Sequence, residues 1–208
     1  GSKFGRQQQE ETWQTAEVDA LYKLARAGVR VPTPYGCIDG VLLMELITDA
    51  KDEVAPRLSD VTMSAAEALK GHETVISYVV AMLCVGIVHG DLSEFNILVD
   101  KQGPVIIDLP QAVDAASNNH AESMLQRDVD NVRNYYGQFA PELLDTRYAQ
   151  EIWALYAEGE LSPESKLTGY FAEDTSTPDV ESVLTEISAA EEEEQARLER
   201  ILDASETG

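Results

Sequence analysis

The chain has 208 residues, 44% of them apolar and 25% charged, and a formal net charge of −23. That length supports one good-sized core or two small lobes, and the balance is ordinary for a globular protein. The charge disfavours direct nucleic-acid binding, because a strongly negative protein repels phosphates unless a basic patch intervenes, and none is visible. Cys37 and Cys84 lie far apart, Cys84 inside an apolar run, which suits buried free thiols in a reducing cytoplasm better than a disulfide. The longest apolar stretch, Val75 to Val88, covers fourteen residues, too few to cross a bilayer. No signal peptide is recognised, so a cytoplasmic location without membrane contact is expected.

Taken in chain order, Gln7 to Ala27 reads as a helix, with Trp13, Ala16, Val18, Leu21, Tyr22, Leu24 and Ala25 at near-helical spacing and Gly28 to end it. Val31-Pro32-Thr33-Pro34 is an extended connector, since each Pro biases its predecessor away from helix. Tyr35 to Ile38 and Val41 to Leu46 predict a hairpin around Asp39-Gly40. Thr48 to Asp60 carries Pro56 and mixed charge and reads as an exposed crossing. Helix is expected again from Ser64 to Cys84, then from Ser123 to Gln138 and from Pro141 to Glu158, with Pro141 acceptable in a first turn. No internal repeat is present.

The chemistry is concentrated between residues 88 and 108. Ile97 to Val99 and Val105 to Ile107 flank Asp100-Lys101-Gln102-Gly103-Pro104, which predicts an antiparallel hairpin. In such a hairpin the start of the first strand lies beside the end of the second. Asn96, just before the first strand, and Asp108, just after the second, are thereby brought together. An amide oxygen beside a carboxylate makes a Mg²⁺ site, because that ion takes hard oxygen ligands and shares its shell with phosphates. Asp91 lies five residues before Asn96, on the loop entering the hairpin, where it can meet a hydroxyl attacking a phosphate.

His89-x-Asp91, Asn96 five residues after the Asp, and Asp108 after a second strand resemble the catalytic loop and metal-binding Asp of protein kinases. The longer strings, His89-Gly90-Asp91-Leu92-Ser93-Glu94-Phe95-Asn96 and Ile106-Ile107-Asp108-Leu109-Pro110-Gln111-Ala112-Val113, resemble the RIO family of atypical serine/threonine kinases and ATPases, in particular its bacterial branch. The resemblance implies an α+β, protein-kinase-like fold: a partial N-lobe over residues 1–47, a mostly helical C-lobe with the catalytic hairpin over 48–170, and an acidic tail over 171–208. It implies ATP and Mg²⁺ as cofactors, with Mn²⁺ as a substitute. Asp91 would orient and deprotonate the attacking hydroxyl or water, Asn96 and Asp108 would hold the metal, and His89 would brace the loop. Ser93 takes the place of a Lys that many Ser/Thr kinases carry, a departure bearing on peptide substrates. Trp13-x-x-x-Glu17 resembles the helix whose Glu pairs with a nucleotide-binding Lys. Met44 would sit at the back of the adenine pocket, with backbone groups of Glu45, Leu46 and Ile47 at the adenine edge. In an ATPase cycle Asp108 itself would accept phosphate.

Upstream of Glu17 the expected phosphate-covering strands are missing. Lys3 is the sole Lys there, and its neighbours do not read as a buried strand, so a kinase lacking its nucleotide-covering strands, with low ATP turnover, is expected. From Phe171 to Gly208 twelve Asp and Glu face only Arg197 and Arg200, a net of −10. Such a segment either docks a basic partner such as a ribosomal surface or is a solvated tail. Ala140-Pro141-Glu142 spells a kinase activation-segment motif but reads as the turn between two helices. Three functions are compatible with these residues: a RIO-type protein kinase or ATPase acting on a protein substrate or ribosomal particle, a small-molecule phosphotransferase of the aminoglycoside type, and a non-catalytic kinase-like binding module. Ser93-Glu94 and Asp108-Leu109-Pro110-Gln111 argue against the second.

Overall fold

The computed structural model describes residues 17–38 and 41–172. Trp13, Lys3, the Asp39-Gly40 turn and the acidic segment beyond Ala172 lie outside the described residues. Helix α1 occupies 17–26 and buries Leu21 and Leu24. It ends as its sequence predicts: Gly28 takes φ +85°, and the Val29 amide turns back to the Leu24 carbonyl at 3.0 Å. Left-handed geometry at that position favours Gly. Strands β1 (Pro34–Ile38) and β2 (Val41–Met44) pair antiparallel, with Ile38 opposite Val41. The second strand stops at Met44, short of the expected Leu46.

The segment expected to be an exposed crossing is in part buried and bridged to the β-hairpin of residues 97–106. Ala55 and Leu58 are buried, Arg57 bridges Leu98, and the Val99 amide donates to the Pro56 carbonyl at 2.9 Å. Pro56 is compatible with this because a strand edge here needs its carbonyl, not the amide it lacks. A 3-10 turn, Leu58–Asp60, follows.

Helix α2 (Ala65–Cys84) starts at a capping box: Ser64 Oγ accepts the Glu67 amide while the Glu67 carboxylate accepts the Ser64 amide. The two bonds satisfy groups that every helix start leaves open. Its buried residues Ala68, His72, Val75, Ile76 and Val79 repeat at three and four residues and form one face, and from Val79 to Leu83 every residue is buried. Among the described residues no helix is long and apolar enough to cross a membrane. Gly86, at φ +73°, turns the chain into β3 (Ile87–Val88), which pairs with β6 (Val113–Asp114). Between them β4 (Ile97–Asp100) and β5 (Gly103–Ile106) form the predicted hairpin, with Ile97 opposite Ile106 and Asp100 opposite Gly103.

Helix α3 (Ala121–Tyr136) begins and ends two residues before its predicted limits. The single helix expected from Pro141 to Glu158 is instead a 3-10 turn, Pro141–Asp145, and a separate helix α4, Tyr148–Ala157. Thr146 is extended, at φ −80° and ψ 152°, and the Arg147 amide donates to the distant Gly169 carbonyl at 2.8 Å. A tertiary bond thus takes the donor that a continuous helix would have used. Residues 137–140 do form the turn between helices, as expected for Ala140-Pro141. Faces of α1, α2, α3 and α4 share the main core with β3 and the hairpin, whereas Ile47, Ala55 and Val105 form a smaller cluster at the hairpin's other side.

Candidate active site

The loop from His89 to Asn96 is shaped by its own side chains and held from behind by α3. His89 is buried, and its Nδ1 accepts the Asp91 amide at 3.3 Å. An amide can only donate, so Nε2 carries the proton and donates to the Ile107 carbonyl at 3.1 Å. Burial pushes the imidazole pKa down, against the opposing pull of the Ile107 bond and the Asp91 and Asp108 carboxylates. A neutral ring with both nitrogens engaged ties the loop to the residue preceding Asp108.

Behind the loop stands a residue that the motif reading missed. Asp128 is buried within α3, and its two carboxylate oxygens accept the Gly90 amide at 2.7 Å and the Leu92 amide at 2.8 Å. Arg127 donates to the Gly90 carbonyl and Asn131 to the Leu92 carbonyl. Both peptide units flanking Asp91 are therefore fixed from one helix face. Desolvation raises the Asp128 pKa from 3.8 to about 6, with the two amide bonds opposing it. The readable signal was an acid at a core position: Leu125, Asp128, Val129 and Val132 recur at apolar helix spacing. Gly90 has φ +81°, and a Cβ there would lie 2.5 Å from Met124 Cε and 2.7 Å from the Gln111 carbonyl oxygen.

On the solvent side, Asn96 Nδ2 donates to the Asp91 carbonyl at 2.8 Å and to Asp91 Oδ2 at 3.3 Å. Those bonds commit the donor half of the amide and leave Oδ1 as an acceptor. The Ile107 amide donates to the Asn96 carbonyl at 3.0 Å, which carries the hairpin ladder one step past β4 and β5 and sets Asp108 beside Asn96. Asp108 is exposed and takes φ +65°, a left-handed conformation that Asp tolerates better than most residues but that still costs energy. Buried Leu109 anchors the chain directly after it. Ser93 takes part through its backbone, its carbonyl accepting the Asn96 amide at 3.0 Å.

Glu17 on α1 is half-buried, and its pKa is raised first by desolvation and then by the Asp108 charge. Glu17 thus lies within electrostatic reach of Asp108. The residues expected at the adenine edge are arranged unevenly. Met44 is 37% exposed rather than core, Leu46 is exposed, and Ile47 is buried. The Glu45 amide donates to the Thr33 carbonyl, its carboxylate accepts from the Thr33 hydroxyl at 2.8 Å, and the Ile47 carbonyl accepts the Ala55 amide. Among the described residues the Glu45 carbonyl and the Ile47 amide have no such partner.

An Asn and an Asp at the root of a hairpin and an Asp on the preceding loop are the arrangement that the resemblance to protein kinases leads one to expect, and a helix grips that loop. Residues 1–149 match the RIO domain model, and the chain belongs to the RIO domain family, whose fold is protein-kinase-like. It is 40% identical over 124 residues to the RIO-type serine/threonine-protein kinase Rio1 of Haloferax volcanii, covering 60% of this chain and 41% of that protein. Similarity to the protein of the same name from Thermoplasma acidophilum is 37% over 124 residues, covering 60% of this chain and 63% of the relative. The human serine/threonine-protein kinase RIO1 is 33% identical over 138 residues, covering 65% of this chain and 24% of the relative. The chain therefore spans less than two thirds of the length of each of these relatives. They are archaeal and eukaryotic, and they establish the family without establishing a branch.

Proposed function

We propose that this domain carries out ATP- and Mg²⁺-dependent phosphoryl transfer to a serine or threonine hydroxyl of a protein, or to water as an ATPase, in the cytoplasm. One observation carries the proposal: the Asn96 amide spends its NH₂ on Asp91 and keeps Oδ1 uncommitted, while the bond from the Ile107 amide to the Asn96 carbonyl brings in the exposed Asp108 as the next residue of the chain. Two hard oxygens suit Mg²⁺ or Mn²⁺, which complete their shells with phosphate oxygens and water. Among the described residues no cluster of three or more His, Cys, Asp or Glu forms a self-sufficient metal cage, consistent with an ion that arrives with its nucleotide. When bound, that ion would neutralise charge on the transferred phosphoryl group.

The chain's own residues supply the rest. Asp91 accepts the proton of the attacking hydroxyl, and its backbone is fixed on both sides by Asp128, so positioning is prepaid before substrate binds. His89 braces the loop as a neutral donor and takes no proton. Glu17 would meet a nucleotide-binding Lys, while the Glu45 carbonyl and Ile47 amide offer an acceptor and a donor to an adenine edge beside Met44 and Leu46. Ser93 would lie on the protein-substrate side. Membership of the RIO family and the relatives' names as serine/threonine-protein kinases support a protein acceptor over an aminoglycoside. A ribosomal particle would meet the acidic segment after Phe171 through basic surface, as the charge requires.

Thermal denaturation with and without Mg·ATP tests this function. Stabilisation that disappears in Asp108→Ala is the expected outcome. No shift in the unaltered chain would instead favour a domain that works by protein contacts alone. Acid-labile phosphate trapped on Asp108 would separate the ATPase cycle from transfer to a protein.

A further inference from the structure

What keeps α1, with Glu17, in place against the hairpin that carries Asn96 and Asp108? The chain leaves α1 at residue 26 and runs extended beside β5. There the Ile106 amide donates to the Arg30 carbonyl at 2.8 Å. Ile106 lies opposite Ile97, next to Asn96, and two residues before Asp108. From that anchor the Arg30 side chain reaches back along β5 to the hairpin turn. Its Nη1 donates to Asp100 Oδ1 at 2.9 Å and to the Gly103 carbonyl at 3.3 Å, and its Nη2 donates to Asp100 Oδ2. Asp100 Oδ1 also accepts the Gln102 and Gly103 amides at 2.7 and 3.1 Å, so the same carboxylate shapes the turn. The pair is largely shielded, with 28% of the Arg30 and 10% of the Asp100 side chain exposed. Val29 and Val31 on either side are buried in the main core.

The geometry points to Arg30 and Asp100 as positioning residues for the metal–nucleotide site: their two-pronged ion pair locks the exit of α1 to the register of the β4–β5 hairpin and so fixes Glu17 relative to Asp108. The inference rests on the proposed Mg·ATP function for its catalytic meaning, while the lock itself is a mechanical statement about α1. Two physical features favour a specific lock over general glue. A planar guanidinium facing a carboxylate with two parallel bonds restricts orientation, which a single point charge does not. The lock also grips both ends of β5, the backbone bond at Ile106 and the side chain at Asp100 and Gly103, so the linker cannot slide along the strand without breaking one of them.

Arg30→Gln and Asp100→Asn remove the charge pair; the second keeps an oxygen for the turn amides. Two readouts are taken on each variant at a temperature where it remains folded: Mg·ATP affinity by calorimetry, and amide hydrogen exchange resolved by helix. Each single variant should bind Mg·ATP about tenfold more weakly, the range typical of residues that orient metal ligands from behind. The double variant should be no weaker than the singles, because both remove one interaction, and Arg30→Lys should recover only part of the loss. Exchange in helix 17–26 should rise about tenfold while α2 and α3 keep their protection. Unchanged affinity in the variants of a chain that does bind Mg·ATP overturns the positioning role, and so does a uniform loss of protection across all three helices. If the unaltered chain binds no Mg·ATP, the proposed function fails, and the exchange of α1 decides the lock alone: a selective rise supports it and no rise overturns it.

Discussion

Asp128 holds Gly90 from the side opposite the solvent, through an amide bond of 2.7 Å inside the core. With the matching bond to Leu92, one buried carboxylate sets the backbone on both sides of Asp91. Truncation should therefore damage stability and site together. Asp128→Ala leaves two buried amides without acceptors, each worth about 1–3 kcal/mol, so urea denaturation should report a loss of about 2–6 kcal/mol. Asp128→Asn keeps one acceptor and should lose less. An alanine variant as stable as the unaltered chain would show that the loop is held by other means.

Two buried groups oppose each other in their response to pH. The Asp128 pKa is raised to about 6, so between about pH 4 and 6 the folded state binds more protons than the unfolded one, and stability from this group falls as pH rises. Burial, together with the Arg133 charge, lowers the His72 pKa from 6.5 to about 4. Over nearly the same window the unfolded state then binds the extra proton, and stability from this group rises with pH. Each effect is on the order of 3 kcal/mol, and the lowered His89 pKa adds to the histidine side. The Asp128 and His72 contributions should largely cancel from pH 4.5 to 6.5, leaving the denaturation midpoint of the unaltered chain a modest rise with pH from His89. His72→Leu should tilt the profile towards acid and Asp128→Asn towards neutral pH; parallel profiles in the two variants would refute the assignment.

Gly90→Ala should be poorly tolerated. The left-handed φ disfavours any side chain, and the new Cβ would meet the Gln111 backbone oxygen at 2.7 Å, which cannot swing aside as Met124 can. A loss of at least about 2 kcal/mol is expected, measured by thermal or chemical denaturation, together with loss of Mg·ATP binding. Retained binding with full stability would mean that the loop adopts another backbone path.

Asn96→Ala removes both the tether on Asp91 and an oxygen from the proposed metal pair. Phosphoryl transfer measured on a generic protein acceptor or as ATP hydrolysis should fall by about 10²–10³, the usual effect of losing one preorganised electrostatic contact. Stability should change by less than in Asp128→Ala, because Asn96 is only partly buried. Equal turnover in the variant would remove Asn96 from the site.

Much of the architecture around the site is local and could be read directly. The hairpin was legible from two apolar triplets around Asp100 to Pro104, and the structure tightens that loop to the two residues Lys101 and Gln102 between paired Asp100 and Gly103. That register sets Asn96 against Ile107, one residue before Asp108. Ser64 and Glu67 write the start of α2, and Gly28 writes the end of α1, because caps depend on neighbours three or four residues away. His89 as a brace was legible from its place in the motif, though its tautomer was not.

The remainder depended on groups far apart in the chain. Asp128 looked like an ordinary helical acid until α3 packed under residues separated from it by 36 and 38 positions. Arg30 finds Asp100 across 70 positions, and the break at Thr146 exists because Gly169 supplies a carbonyl to Arg147. Residues 56–57 are drawn in only because β4 offers an edge, Arg57 bridging Leu98 and the Pro56 carbonyl taking the Val99 amide. By itself the sequence determined that a hairpin stands between Asn96 and Asp108, since two apolar triplets around a Gly-bearing loop are a local signal. Only the tertiary structure decided what holds those residues still, because a buried carboxylate or an ion pair is stabilising solely where packing brings its partners and excludes water.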